Sequence, residues 1–83
     1  MINERLRNYL ANDPDYRYFP ELGDDDSLIE AGVIDSFSVV KLVVFLEAEF
    51  GIRIDVTDLV ADNVSTLKNI ETMVTRKLAA DNS

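Results

Sequence analysis

The sequence predicts an all-α protein: a small antiparallel four-helix bundle, three main helices plus one short helix, with a long first loop. Apolar residues recur at spacings of three and four in three separate stretches, strict apolar and polar alternation is absent from the longest uninterrupted one, and proline or glycine stands where the first two stop. With 83 residues, 47% of them apolar, and a mean hydropathy of −0.02, the chain fits a single globular domain spanning 1–83. A second domain has no room.

The first helix carries Leu6, Tyr9 and Leu10, follows Asn3 as its candidate N-cap, and ends at Asn12-Asp13-Pro14 because proline cannot continue a helix. From there to Ser27 the chain is acidic and turn-like, with room for a single helical turn. Tyr16, Tyr18, Phe19 and Leu22 are expected to lay this long loop against the core. Aspartates 24 to 26 lack the alternating ligands and central glycine of a calcium loop and read as a solvated turn. Ser36 to Phe50 is the strongest element, with no Gly or Pro over a length of about 22 Å at 1.5 Å per residue, and Gly51 ends it at the C′ position. Its valines also suit a strand, but the length favours a helix. Ile52 and Ile54 lead into a short helix that starts at Asp55, with Asp58 three residues on and then Leu59 and Val60. The last helix follows Ser65 or Thr66 and presents Leu67, Ile70, Val74 and Leu78 on one face, with Arg76 and Lys77 favourable near its C-terminus.

Composition excludes several chemistries. Without cysteine there is no disulfide, thiolate metal site or thiol nucleophile, and without histidine the usual general base and commonest zinc ligand are gone. A formal charge of −8 repels nucleic acid and anionic lipid and favours basic partners; residues 1–35 concentrate it, with nine acids against three bases. No apolar run can span a bilayer, and Met1 leads into Ile2-Asn3-Glu4-Arg5 without a signal-peptide pattern, so a cytoplasmic, free-standing monomer without membrane insertion is expected.

The chemistry lies at the head of the long helix. Ser36 places a hydroxyl in its first turn, where free backbone N–H groups and the positive end of the dipole favour an attached phosphate. Asp35 precedes it as the expected N-cap, and Gly32 can supply the positive φ that reverses the chain. A catalytic serine would need a base that the chain lacks, and Lys41, five residues on, stands about 140° away around the helix. Hydrolysis is therefore not expected. A serine that only caps the helix remains the plain alternative.

Leu28-x-x-x-Gly32-x-x-Asp35-Ser36, a helix bearing Leu42 and Leu46, and then Glu49-Phe50-Gly51-Ile52 together resemble the acyl and peptidyl carrier protein family over nearly the whole chain. The resemblance implies that Ser36 receives 4′-phosphopantetheine from coenzyme A through a Mg²⁺-dependent phosphopantetheinyl transferase, and that the arm's thiol bears cargo as a thioester. Asp35 would then add transferase recognition to its capping role. The protein would be a shuttle, not an enzyme. An unmodified helical interaction adaptor is the alternative function.

On a helical wheel Val39, Leu42, Val43, Leu46 and Phe50 face the core, whereas Phe37, Lys41, Val44 and Ala48 lie opposite, flanked by Val40 and Glu47 on one side and Phe45 on the other. Exposed apolar residues beside the serine mark an interface, unless Phe37 and Phe45 fold down onto the long loop. The expected partner surface is therefore Phe37, Val40, Lys41, Val44, Glu47 and Ala48; the resemblance implies that Ile54, Val56 and Val60 line the other side of the arm's exit, although those three can equally be core. Fatty-acid-synthase carriers have acids along this face where Lys41 stands here. Ile34-Asp35-Ser36-Phe37 is more similar to D-alanyl, aminoacyl and peptidyl carriers, which implies loading by an adenylate-forming ligase or acyltransferase and delivery to downstream biosynthetic enzymes of a specialised pathway.

Overall fold

The computed structural model describes residues 2–55, 58 and 64–81. It is all-helical over these residues, with α1 (Ile2–Asn12), α2 (Ser38–Phe50) and α3 (Leu67–Asp81). Helix α3 packs on both α1 and α2. No helix among the described residues is long and apolar enough to cross a membrane.

Each helix contributes its apolar stripe to one core. Leu6 and Leu10 come from α1, Leu42 and Leu46 from α2, and Leu67, Ile70, Met73 and Val74 from α3, all buried. Spacings of three and four set these residues on single faces, and their burial removes most of each side chain from water, worth about 1.5–3 kcal/mol apiece before chain entropy is charged against it. Between α1 and α2, Tyr9 and Phe45 stack with centroids 3.8 Å apart and planes at 6°. Phe45 thus folds down onto a helix, not onto the long loop.

Asn3 is not the N-cap of α1, since it lies inside the helix. Its side chain instead accepts from Arg7 Nε at 2.9 Å and donates to Asp24 Oδ1 at 3.0 Å. The expected stop at Asp13-Pro14 holds, and Asp13 then builds the next turn, its Oδ1 accepting from the Asp15 N–H and its carbonyl from the Tyr16 N–H.

The long loop lies against the core as expected, through buried Tyr16 and Leu22 and half-buried Tyr18, while Phe19 stays exposed. Arg7 fastens it: the guanidinium donates to the Tyr18 hydroxyl, to the Leu22 carbonyl at 2.8 Å and to the Asp24 carboxylate. Asp24 and Asp26 are consequently structural, Asp26 accepting from the Gly23 N–H at 2.8 Å. Farther on, the Leu28 N–H bonds to the Ser65 carbonyl at 2.8 Å and the Lys68 N–H to the Asp24 carbonyl at 3.0 Å, which ties the loop to the head of α3.

A single helical turn interrupts the loop at 27–31. Ser27 Oγ caps its start by accepting from the Glu30 N–H, and Gly32, at φ +77°, ends it. The Val33 N–H returns to the Leu28 carbonyl and the Gly32 N–H to the Ile29 carbonyl, a Schellman pair of bonds in which buried Leu28 and Val33 make the accompanying apolar contact.

Helix α2 ends on Gly51 (φ +65°), whose N–H bonds to the Glu47 carbonyl, and Thr66 caps α3 by accepting from the Asn69 N–H at 3.0 Å. Because α3 continues to Asp81, Arg76 and Lys77 sit short of its last turn, and Lys77 pairs with Asp58 at 2.7 Å instead. Of the segment where a short helix is expected, the described residues include Asp55 and Asp58, the Asp55 N–H bonding to Asp58 Oδ2 and the Asp58 N–H to the Asp55 carbonyl. Val56, Leu59 and Val60 lie outside the described residues.

Candidate functional site

The turn that opens α2 is closed by side chains. Asp35 Oδ1 accepts from the Phe37 and Ser38 N–H groups, both at 2.9 Å, and the Asp35 carbonyl accepts from the Val39 N–H at 3.0 Å. Asp35 is therefore the N-cap in hydrogen bonding, as expected, while the regular helix starts at Ser38, two residues later than the spacing implies. The Asp35 N–H in turn donates to Ser38 Oγ at 2.7 Å. The two residues form a reciprocal capping box with serine in the third helical position, where glutamate is more usual.

These bonds hold the Asp35 carboxyl below the usual carboxylate range, the Ser38 N–H contributing most, then the Phe37 N–H and the Ser38 hydroxyl. They also correct one expectation: the amides of Phe37 and Ser38 are not free to receive a phosphate, because Asp35 already occupies them.

Ser36 sits in the middle of this turn, exposed, and its side chain makes no hydrogen bond among the described residues. The Asp35–Ser38 frame holds the backbone on both sides and leaves the hydroxyl facing solvent. Gly32, four residues upstream, takes the left-handed conformation expected of it and sends the chain back so that Val33 and Ile34 enter the core just before the turn.

The outer face of α2 is as apolar as the wheel implies. Phe37 is 88% exposed, Val40 and Val44 are each 61% exposed, and Ala48 is exposed beside them. Phe37 does not fold down onto the loop. The core side holds buried Leu42 and Leu46 with half-buried Val39, Val43 and Phe50.

Two residues expected on the partner face have other work. Lys41 Nζ lies 2.6 Å from Asp13 Oδ2 and 2.6 Å from Asp15 Oδ2, so its charge is answered within the molecule. Asp13 first and Asp15 second push the lysine pKa upward, and Lys41 in turn lowers that of Asp13. Glu47 is half-buried and accepts the Ile54 N–H at 2.9 Å, joining the end of α2 to the strand-free segment that follows. Ile54 packs half-buried on the core, and Val56 lies outside the described residues.

Sequence reasoning missed Ser38, Asp13, Asp15 and Tyr16. Ser38 had a signal in the Asp-x-x-Ser spacing. Tyr16 shares a 2.7 Å hydrogen bond with the Tyr9 hydroxyl and reaches the Ser38 carbonyl at 3.4 Å, bracing the turn from beneath.

The site is thus an exposed serine framed at a capped helix start, on a small helical domain whose α2 presents an apolar outer face. Residues 17–74 match the family model described as "Phosphopantetheine attachment site". The chain belongs to that family, whose prosthetic group is 4′-phosphopantetheine. D-alanyl carrier proteins from strains of Streptococcus thermophilus are 41% identical to it over 51 residues, which is 61% of this chain. The match spans 65% of the length of those relatives, just under two thirds.

Among solved structures, a chain in the crystal structure of an FAD-dependent dehydrogenase superposes with a TM-score of 0.68 at 18% identity, covering 88% of this chain and 97% of that one. A chain in the crystal structure of a Bradyrhizobium japonicum glycine:carrier protein ligase complexed with glycylated carrier protein superposes with a TM-score of 0.65 at 21% identity, covering 87% and 92%. At these identities the likeness is one of fold.

The residues present fit the prosthetic group. A phosphodiester needs a serine hydroxyl that a transferase can reach, and Ser36 is exposed and uncommitted. When attached, the group supplies a thiol that can hold an acyl group as a reactive thioester.

Proposed function

We propose that this chain is an aminoacyl carrier: Ser36 forms the phosphodiester to 4′-phosphopantetheine, and the arm's thiol carries an amino acid between a loading ligase and an acceptor enzyme. The single observation that carries the attachment site is the exposed, uncommitted Ser36 hydroxyl in a turn locked by Asp35 and Ser38. A transferase needs a serine presented in a fixed backbone, and the capping box supplies that without engaging the hydroxyl. Asp35 serves as cap and as a recognition group for the transferase, and Gly32 sets the reversal that brings the turn to the surface.

The aminoacyl cargo is supported by the D-alanyl carrier relatives, by the ligase complex whose carrier shares this fold, and by the absence of an acid from the α2 outer face over 37–46. An adenylate-forming ligase is accordingly the loading partner, meeting Phe37, Val40 and Val44. A short helix starting at Asp55, completing a four-helix arrangement, is part of the same reading.

The decisive experiment is intact-protein mass spectrometry after incubation with coenzyme A, Mg²⁺ and a broad-specificity phosphopantetheinyl transferase. One pantetheinyl-phosphate adduct is expected, absent from Ser36→Ala. An unmodified wild-type chain would mean an adaptor, and an adduct on Ser36→Ala would place the attachment elsewhere. For cargo, charging by an adenylating ligase is expected. Rapid loading with long fatty acyl chains by fatty-acid-synthase enzymes, with no ligase charging it, would overturn the aminoacyl reading.

A further inference from the structure

We propose that the groove between α1 and α2 is the resting berth of the prosthetic arm and its short, polar cargo; the proposal rests on attachment at Ser36. Two depressions adjoin on this side of the molecule. The smaller is lined by Asp35, Phe37 and Ser38, the residues around Ser36, together with Asp15 and Lys41. The larger is an open groove of about 760 Å³ that includes Asn8, Tyr9, Asn12, Phe45 and Glu49 in its lining. Asp15 and Lys41 line both, so the two form one path from the attachment turn to the face of α1.

The lining matches the arm's chemistry. A pantetheine chain alternates hydrocarbon with two amides. The half-buried Tyr9 and Phe45 rings offer apolar surface for the hydrocarbon, and Asn8 and Asn12, one turn apart on α1 and both exposed, offer amide donors and acceptors. Lys41, the one basic residue of α2, stands where the two depressions meet and can turn from Asp13 and Asp15 toward a phosphodiester.

The same lining selects cargo. Asp15 and Glu49 are both exposed, Asp15 paired with Lys41 and Glu49 with Arg5 at 3.4 Å, and an aminoacyl ammonium entering the groove would share these carboxylates with the side chains that now hold them. A long alkyl chain laid over these carboxylates and asparagines would strip them of water without replacing their hydrogen bonds, so the groove disfavours it.

The test uses the full chain in four states: apo, holo, glycyl-loaded and octanoyl-loaded, each confirmed by intact mass and compared by ¹⁵N–¹H NMR. The proposal expects the arm to shift the amides of Asn8, Tyr9, Asn12 and Phe45, more with glycyl than with octanoyl cargo. Asn8→Ala/Asn12→Ala, both at exposed positions, is expected to keep the wild-type melting temperature, to shrink the shifts at Tyr9 and Phe45, and to speed iodoacetamide alkylation of the holo thiol at least twofold. Shifts confined to 34–39 in a protein that carries the adduct, or an alkylation rate unchanged in the double variant, would overturn the berth alone. Failure to form the adduct would overturn the attachment itself, and the berth with it.

Discussion

Asp35 and Ser38 cap each other: the Asp35 N–H donates to Ser38 Oγ at 2.7 Å while the Ser38 N–H donates to Asp35 Oδ1 at 2.9 Å. The pair fixes the backbone around Ser36 without touching its hydroxyl. Rigidity and accessibility are thereby separated, the first resting with the neighbours and the second with the serine.

Ser38→Ala tests that separation. It removes a hydroxyl from a nearly buried position and leaves the Asp35 N–H without its partner, at a cost of about 0.5–1.5 kcal/mol. Urea unfolding should show that loss, and mass spectrometry should still find the adduct on Ser36, formed more slowly. An unchanged unfolding midpoint would deny the capping box any energetic role.

The same cap predicts a pH response. Asp35 titrates below its ordinary 3.8 in the folded state, chiefly through the Ser38 N–H, so the unfolded chain binds the proton more readily. Its contribution to stability is present above the ordinary carboxylate value and is lost as pH falls through the lower folded value. An acid titration followed at the Phe37 and Ser38 amides by NMR should therefore have its midpoint below 3.8. A midpoint at or above that value would contradict the cap.

Gly32 isolates a backbone effect. Its φ is +77°, and a Cβ built there meets nothing within 4 Å, so Gly32→Ala costs only the left-handed conformation, about 1–2 kcal/mol. Asparagine, which tolerates that region better, should recover part of the loss in thermal melts. If alanine and glycine melt together, the turn has relaxed and the Schellman bonds are dispensable.

Leu28→Ala probes the loop as part of the core. Leu28 is fully buried, and its carbonyl accepts from the Val33 N–H. Truncation should cost about 2–5 kcal/mol, a large share of the stability of so small a domain, read as a lower urea midpoint. A loss near zero would mean that the loop packs loosely.

The outer face of α2 should behave oppositely. Phe37→Ala and Val44→Asp, at positions 88% and 61% exposed, are expected to change stability by no more than about 0.5 kcal/mol while lowering the kcat/KM of ligase charging at least tenfold. Full charging efficiency in both variants would place the docking surface elsewhere.

What the sequence disclosed follows the range of the forces involved. Pro14 and Gly51 punctuate the helices through local backbone rules where spacing put them, and of the two candidates Ser65 and Thr66 it is Thr66 that caps α3. The outer and inner faces of α2 were equally legible, because helical periodicity alone divides Phe37 and Val44 from Leu42 and Leu46. Asn3 reads locally as a cap but is recruited by Arg7 and Asp24, and Lys41 reads as a free surface cation but is held by Asp13 and Asp15, more than twenty residues away. Contacts of that reach leave no periodic trace. The turn at 27–31 lies between these cases: Ser27 and Gly32 both announce it, yet its apolar residues are too few to show a period.

The stitching of the long loop sets a limit on how this domain can vary. Arg7 grips it at Tyr18, Leu22 and Asp24, Asp24 and Leu28 pin it to the head of α3, and Val33 and Ile34 anchor its far end. Successive moorings so close together leave no slack, so an inserted residue would drag one mooring out of place and move the presented serine with it. A segment without regular helix thus acts as the ruler that positions the turn bearing Ser36, and size variation should collect outside it.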